Sequence, residues 1–65
     1  LSDAGVGATL LKSAMQGASL NVYINTKSMK DRKRAEELNQ LADSLREEYE
    51  AKADRIFAEV SSRIR

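Results

Sequence analysis

The chain has 65 residues and no cysteine, histidine, proline or tryptophan, which excludes disulfides, thiolate or imidazole metal sites, a nucleophilic cysteine and a Ser/His/Asp triad of its own. A formal net charge of +1 lacks the basic excess of a dedicated nucleic-acid-binding domain. A chain this short buries only about 60% of its unfolded surface when it folds alone, and with Leu1 first and its three glycines confined to Gly5, Gly7 and Gly17 it is expected to be a piece of a longer domain.

The first predicted element is a helix over about 3–25. Ser2 ahead of Asp3 and Ala4 supplies a capping oxygen and a negative charge for the positive end of the helix dipole. On a helical wheel Asp3, Gly7, Leu10, Ala14, Gly17, Asn21 and Asn25 fall in one narrow stripe, with Thr9, Lys12, Gln16, Ser19 and Tyr23 opposite. Each glycine costs about 1 kcal/mol of helix propensity relative to alanine. Close helix packing offsets that cost, or more rarely access for a ligand, so the small stripe is the expected buried face. The patch Asn21-Val22-Tyr23-Ile24-Asn25 has strand-like composition, yet its asparagines are spaced i,i+4 beside the small stripe, which favours helix. Two amides in a buried stripe require partners, either backbone groups or a polar ligand. The uncharged run from Ser13 to Thr26 is too short and polar to span a bilayer. With no secretory signal visible, the expectation is a cytoplasmic location without membrane contact.

A break is predicted over 26–30, followed by a helix over about 30–63. Ser28-Met29-Lys30-Asp31 matches a capping box, with Ser28 capping a helix that begins near Met29. Ala35, Leu38, Ala42, Leu45, Tyr49, Ala53, Ile56, Val60 and Ile64 then form an amphipathic stripe. The pairs Glu48/Lys52, Glu50/Asp54, Glu36/Gln40 and Asp43/Glu47 lie off it and name no partner. This helix outreaches the first, so its C-terminal turns are expected to pack elsewhere. Lys27, Lys30, Arg32, Lys33 and Arg34 form a basic cluster whose place at a helix start opposes the dipole. It is either a solvated face or an anion contact, and without interleaved aromatics it is no stacking platform for single strands.

Taken together, Ser2-Asp3-Ala4-Gly5-Val6-Gly7-Ala8, Leu10-Leu11, Ala14, Gly17-Ala18, Asn21-Val22, Ile24-Asn25, Ser28 and Lys30-Asp31 resemble the cyclodeaminase/cyclohydrolase family. That family forms the C-terminal part of formiminotransferase-cyclodeaminase and also occurs alone as methenyltetrahydrofolate cyclohydrolase. The resemblance is dense over residues 2 to 31 and generic beyond. Thr26 departs from the leucine that relatives usually carry there.

The resemblance implies an all-α fold, of which this chain supplies two long helices from the C-terminal portion of a larger all-helical domain. It implies a homodimer acting on folates: ring-opening of 5,10-methenyltetrahydrofolate to 10-formyltetrahydrofolate, or cyclisation of 5-formiminotetrahydrofolate with loss of ammonia. The substrate is a tetrahydrofolate derivative, with no metal, no nucleic acid and no membrane partner. The family's glycine-rich motif nearer the N-terminus is absent, so the isolated 65 residues are expected to need that missing N-terminal part for activity. This chemistry needs a group to stabilise an amidinium-like carbon and accept a proton, and others to orient the pterin. Asp3, the one acid on the small stripe, is the candidate catalytic residue; Gly17, Asn21, Asn25 and Lys30 are candidates for substrate binding. Asp3 and Asn21 lie roughly 27 Å apart along a straight helix, so they cannot share one small reacting centre. The rival reading is a non-enzymatic helical interaction module that uses the small stripe to dock and the second helix to oligomerise.

Overall fold

A computed structural model describes residues 2–65, with Ser2 described through its backbone alone; the capping role expected of its hydroxyl lies outside the described residues. The chain forms two helices, α1 (Ser2–Lys27) and α2 (Arg32–Ile64), packed antiparallel as a hairpin of 51 × 14 × 11 Å. It is all-α, with no strand among the described residues, and Asn21 to Asn25 continue α1.

The turn corrects the expected capping. Ser28 does not cap α2; its hydroxyl turns back and donates to the Asn25 carbonyl at 3.1 Å. Asp31 is the N-cap instead, and its carboxylate accepts from the Arg34 amide at 3.0 Å. A carboxylate there both satisfies an orphan amide and meets the positive end of the α2 dipole. Arg32 shows why cations collect here: its Nη1 donates to the carbonyls of Thr26 at 2.8 Å and Met29 at 2.9 Å. The start of α2 lies beside the end of α1, so a charge unfavourable for one dipole is favourable for the other.

Burial falls on a different face of α1 from the one expected. Gly5, Ala8, Lys12, Met15, Ser19, Tyr23 and Thr26 face α2, at intervals of three and four residues that resemble a coiled-coil seam. All of them are buried or half-buried. Asp3, Gly7, Leu10, Ala14, Gly17, Asn21 and Asn25 are all exposed. The physical reason is the partner: α2 presents Ala35, Ala42, Ala53 and Val60 as its buried positions, and such a low ridge admits a close approach by small side chains. Hydroxyls are tolerated in the seam because Ser19 donates to its own helix, at 2.9 Å from the Met15 carbonyl. Leu45, Tyr49, Ile56 and Ile64, expected on the packed stripe of α2, remain exposed.

Register also corrects the expected overhang. Lys12 meets Asp54 and Gly5 meets Val60, which brings the start of α1 level with the end of α2. The extra turns of the longer helix therefore lie at its N-terminal end, around the turn.

Thr26 is 2% exposed, and its hydroxyl donates across the hairpin to Asn39 Oδ1 at 2.6 Å. Thr26→Val keeps the shape but removes that donor. It is expected to destabilise the hairpin by about 1 kcal/mol, read from urea unfolding. The pair Thr26→Val with Asn39→Leu is expected to recover most of the loss, because no polar group is then left unmatched.

Candidate functional site

Asp3, Gly17, Asn21 and Asn25 lie on the face of α1 turned away from α2, and all four are exposed. They do not form one cluster. Asp3 stands at the first turn, while Asn21 and Asn25 stand at the other end of a continuous helix, with about 27 Å of rise between Asp3 and Asn21. Gly17 is one turn before Asn21, and a Cβ built on it meets nothing within 4 Å. Lys30 is exposed in the turn, so the hairpin groups it with the asparagine end rather than with Asp3.

Each end has its own character. At the open end, Val6, Leu10, Phe57 and Ile64 line an apolar groove of about 330 Å³ together with Gly5 and Val60. Asp3, Val6 and Leu10 share one row of α1, spaced i, i+3 and i+7, with the Asp3 side chain exposed. At the turn end, Arg32 is engaged by main-chain carbonyls and Arg34 pairs with Glu37 at 3.3 Å. Lys27, Lys30 and Lys33 are exposed there.

Between the two ends a polar ladder runs along one flank of the seam, and it was not legible from the sequence. Lys12 Nζ donates to Asp54 Oδ1 at 2.8 Å, Gln16 Nε2 to Glu50 Oε2 at 3.3 Å, and the Tyr23 hydroxyl to Asp43. Arg46 closes the group, donating to Glu50 Oε1 at 3.0 Å with Asp43 Oδ1 3.8 Å away. Asp43, Glu50 and Asp54, expected to specify no partner, thus select α1. The Tyr23 oxygen, and after it the Glu50 carboxylate, holds the Arg46 guanidinium above its ordinary value.

The hydrogen bond from Lys12 to Asp54, reinforced by the Asp54 charge, raises the Lys12 ammonium above its usual range. A cation whose folded value is raised contributes fully below the unfolded lysine value and loses that contribution as pH climbs through the folded value. Helicity followed by circular dichroism is therefore expected to fall on the alkaline side of the ordinary lysine range, with Lys12→Gln removing that component. The pair is exposed, so the component is small and weakens with salt.

Among the described residues no group of three or more His, Cys, Asp or Glu side chains is placed to hold a metal ion. No described helix is long and apolar enough to cross a membrane.

Comparison with known proteins bears on the same helices. The methenyltetrahydrofolate cyclohydrolase of Methylorubrum extorquens AM1 is 38% identical over 64 residues, covering 98% of this chain and 31% of the relative. The chain thus spans about a third of the length of the curated relative it matches. No solved structure gives a significant match. The family described as formiminotransferase-cyclodeaminase matches residues 1–44, which take in all of α1, the turn and the first turns of α2. With two thirds of its residues inside that match, this helical hairpin belongs to the formiminotransferase-cyclodeaminase family.

Proposed function

We propose that the hairpin is the C-terminal helical segment of a folate one-carbon enzyme, residues 1–65 lying within one domain. The parent hydrolyses 5,10-methenyltetrahydrofolate to 10-formyltetrahydrofolate, or cyclises 5-formiminotetrahydrofolate with release of ammonia. The observation that carries this reading is the extent of the family match: residues 1–44 include every candidate, from Asp3 through Gly17, Asn21 and Asn25 to Lys30. The name of the Methylorubrum relative favours the hydrolase over the deaminase.

In the hydrolytic reaction a water adds to the cationic carbon bridging N5 and N10. The bond from that carbon to N5 breaks, the formyl group stays on N10, and one proton is released. Asp3 stabilises the cation and takes a proton from the attacking water. Asp3 is exposed in the hairpin, and the role requires the rest of the domain to shield it, because a carboxylate acts more strongly on a cation where water is sparse. Asn21 and Asn25 orient polar edges of the ligand, Gly17 leaves room for it, and Lys30 meets negative charge. The length of α1 assigns Asp3 and the asparagines to different parts of an extended folate or to different sites across a dimer. The parent is a cytoplasmic homodimer with no metal requirement, and the 65 residues alone are inactive without the N-terminal part of the domain.

The test is an assay of the full-length gene product for loss of 5,10-methenyltetrahydrofolate absorbance and for cyclisation of 5-formiminotetrahydrofolate. Turnover of the first substrate supports the hydrolase assignment, and turnover of the second alone shifts it to the deaminase. If neither reacts, the enzyme reading fails. The apolar side chains left exposed on both helices then favour the helical interaction module.

A further inference from the structure

We propose that Arg32 is a positioning residue for the asparagine end of the candidate site: its guanidinium fixes the turn between Asn25 and Lys30 and offsets the negative pole of α1 where the ligand's negative charge arrives. The proposal rests on the folate reading of the preceding section and adds a residue that reading does not use.

The turn is held through its carbonyl oxygens. A helix leaves its last carbonyls without partners of its own, and those of Asn25, Thr26 and Lys27 find theirs in the turn and at the start of α2. The Asn25 carbonyl accepts from the Ser28 hydroxyl at 3.1 Å, and the Thr26 carbonyl from the Met29 amide at 3.1 Å. Arg32 Nη1 then gathers the carbonyls of Thr26 at 2.8 Å, Met29 at 2.9 Å and, more weakly, Lys27 at 3.3 Å. Asp31, next to it in the chain, is bonded forward to the Arg34 amide. The joining residues are thus tied to α1 by Arg32 and to α2 by Asp31, which fixes the backbone of Lys30 relative to Asn25. A ligand that meets both then has less chain to order on binding.

Charge gives a second argument. The carboxyl end of a helix carries about half a negative charge, which repels an anion approaching Lys30. Arg32 is the first residue of α2, where a cation opposes the dipole of its own helix. Lys27, Lys30 and Lys33 are exposed and Arg34 pairs with Glu37, so the charge that meets the α1 carbonyls is that of Arg32. With that pole offset, the field at the turn is set by the lysines.

The test combines steady-state kinetics of the full-length gene product, on whichever of the two folate substrates it turns over, with hydrogen exchange of the peptide spanning the turn. Arg32→Gln is expected to raise KM about tenfold with kcat held within about twofold, and to speed exchange in the turn by about tenfold or more. Arg32→Lys keeps the charge and a donor, and is expected to raise KM only about threefold. Lys33→Gln removes the same charge from an exposed neighbour; it is expected to leave exchange in the turn unchanged and KM within about twofold. Equal KM effects of Arg32→Gln and Lys33→Gln, an unchanged KM or unchanged exchange in Arg32→Gln, a fall in kcat with a lowered melting temperature, or no recovery in Arg32→Lys would each overturn the proposal. Should Arg32→Gln fail to fold, Arg32→Lys decides: a raised KM with kcat kept supports the role, and wild-type kinetics reject it. A wild-type protein that turns over neither substrate rejects the folate reading and this proposal with it, whereas a failure confined to the Arg32 variants leaves that reading standing.

Discussion

Asp3→Asn in the full-length enzyme is expected to lower kcat for 5,10-methenyltetrahydrofolate by about 10²–10⁴-fold, the usual contribution of a positioned proton acceptor, with little change in KM. Asparagine keeps the size of aspartate but removes both the negative charge and the acceptor for the proton. The same change also removes a charge from the first turn of α1, where a carboxylate contributes about 0.3–1 kcal/mol against the dipole. That loss is too small to unfold a whole domain, so a drop in turnover with an intact melting temperature isolates the chemical role. The opposite pattern, unchanged turnover with a slightly lowered melting temperature, would leave Asp3 a helix-start residue and nothing more. Asn21→Ala and Asn25→Ala are expected to act differently, raising KM more than they lower kcat. Asn21 sits about 27 Å and Asn25 about 33 Å from Asp3 along the helix, so under the proposed function they hold a remote part of the ligand or a different site.

The two helices and the break between them were legible because local rules decide them: apolar periodicity, the lack of breakers inside each run, and a cluster of capping residues between. The buried face of α1 was not legible, and the reason lies in its chemistry. A wheel that ranks residues by hydropathy assigns Lys12, Gln16, Ser19 and Tyr23 to solvent. In the hairpin, Lys12, Gln16 and Tyr23 bond to Asp54, Glu50 and Asp43, and Ser19 is satisfied by its own helix. Those cross-helix pairs depend on the register, and the register depends on where the turn closes. Asp31 rather than Ser28 sets it. The apolar groove was hidden for a similar reason, since Val6 and Leu10 meet Phe57 and Ile64 only once the two chain ends are level. The candidate residues, by contrast, came from the density of family-like positions between 2 and 31, a stretch that local reading and the family match both cover.

The glycines of α1 separate what the hairpin explains from what only a larger assembly explains. A Cβ on Gly5 would sit 3.2 Å from Val60 Cγ1, a tight contact, so the close approach of α2 favours glycine there. Gly5→Leu is expected to destabilise the 65-residue hairpin by about 1–3 kcal/mol through overpacking, measured by urea or thermal unfolding. At Gly17 a Cβ meets nothing within 4 Å. In the isolated hairpin Gly17→Ala is therefore expected to stabilise by about 1 kcal/mol, the propensity difference between the two residues in a helix. Gly17 weakens its own helix without admitting α2, and the proposed function assigns it a place beside a folate edge near Asn21, against the alternative of packing on another helix of the domain. In the full-length enzyme the stabilisation by Gly17→Ala is accordingly expected to be lost: a raised KM with unchanged stability points to the folate, and a lowered melting temperature with unchanged KM points to helix packing. If Gly17→Ala stabilises the full-length enzyme and leaves KM unchanged, Gly17 has no role on that face, and substrate binding there rests on Asn21 and Asn25 alone.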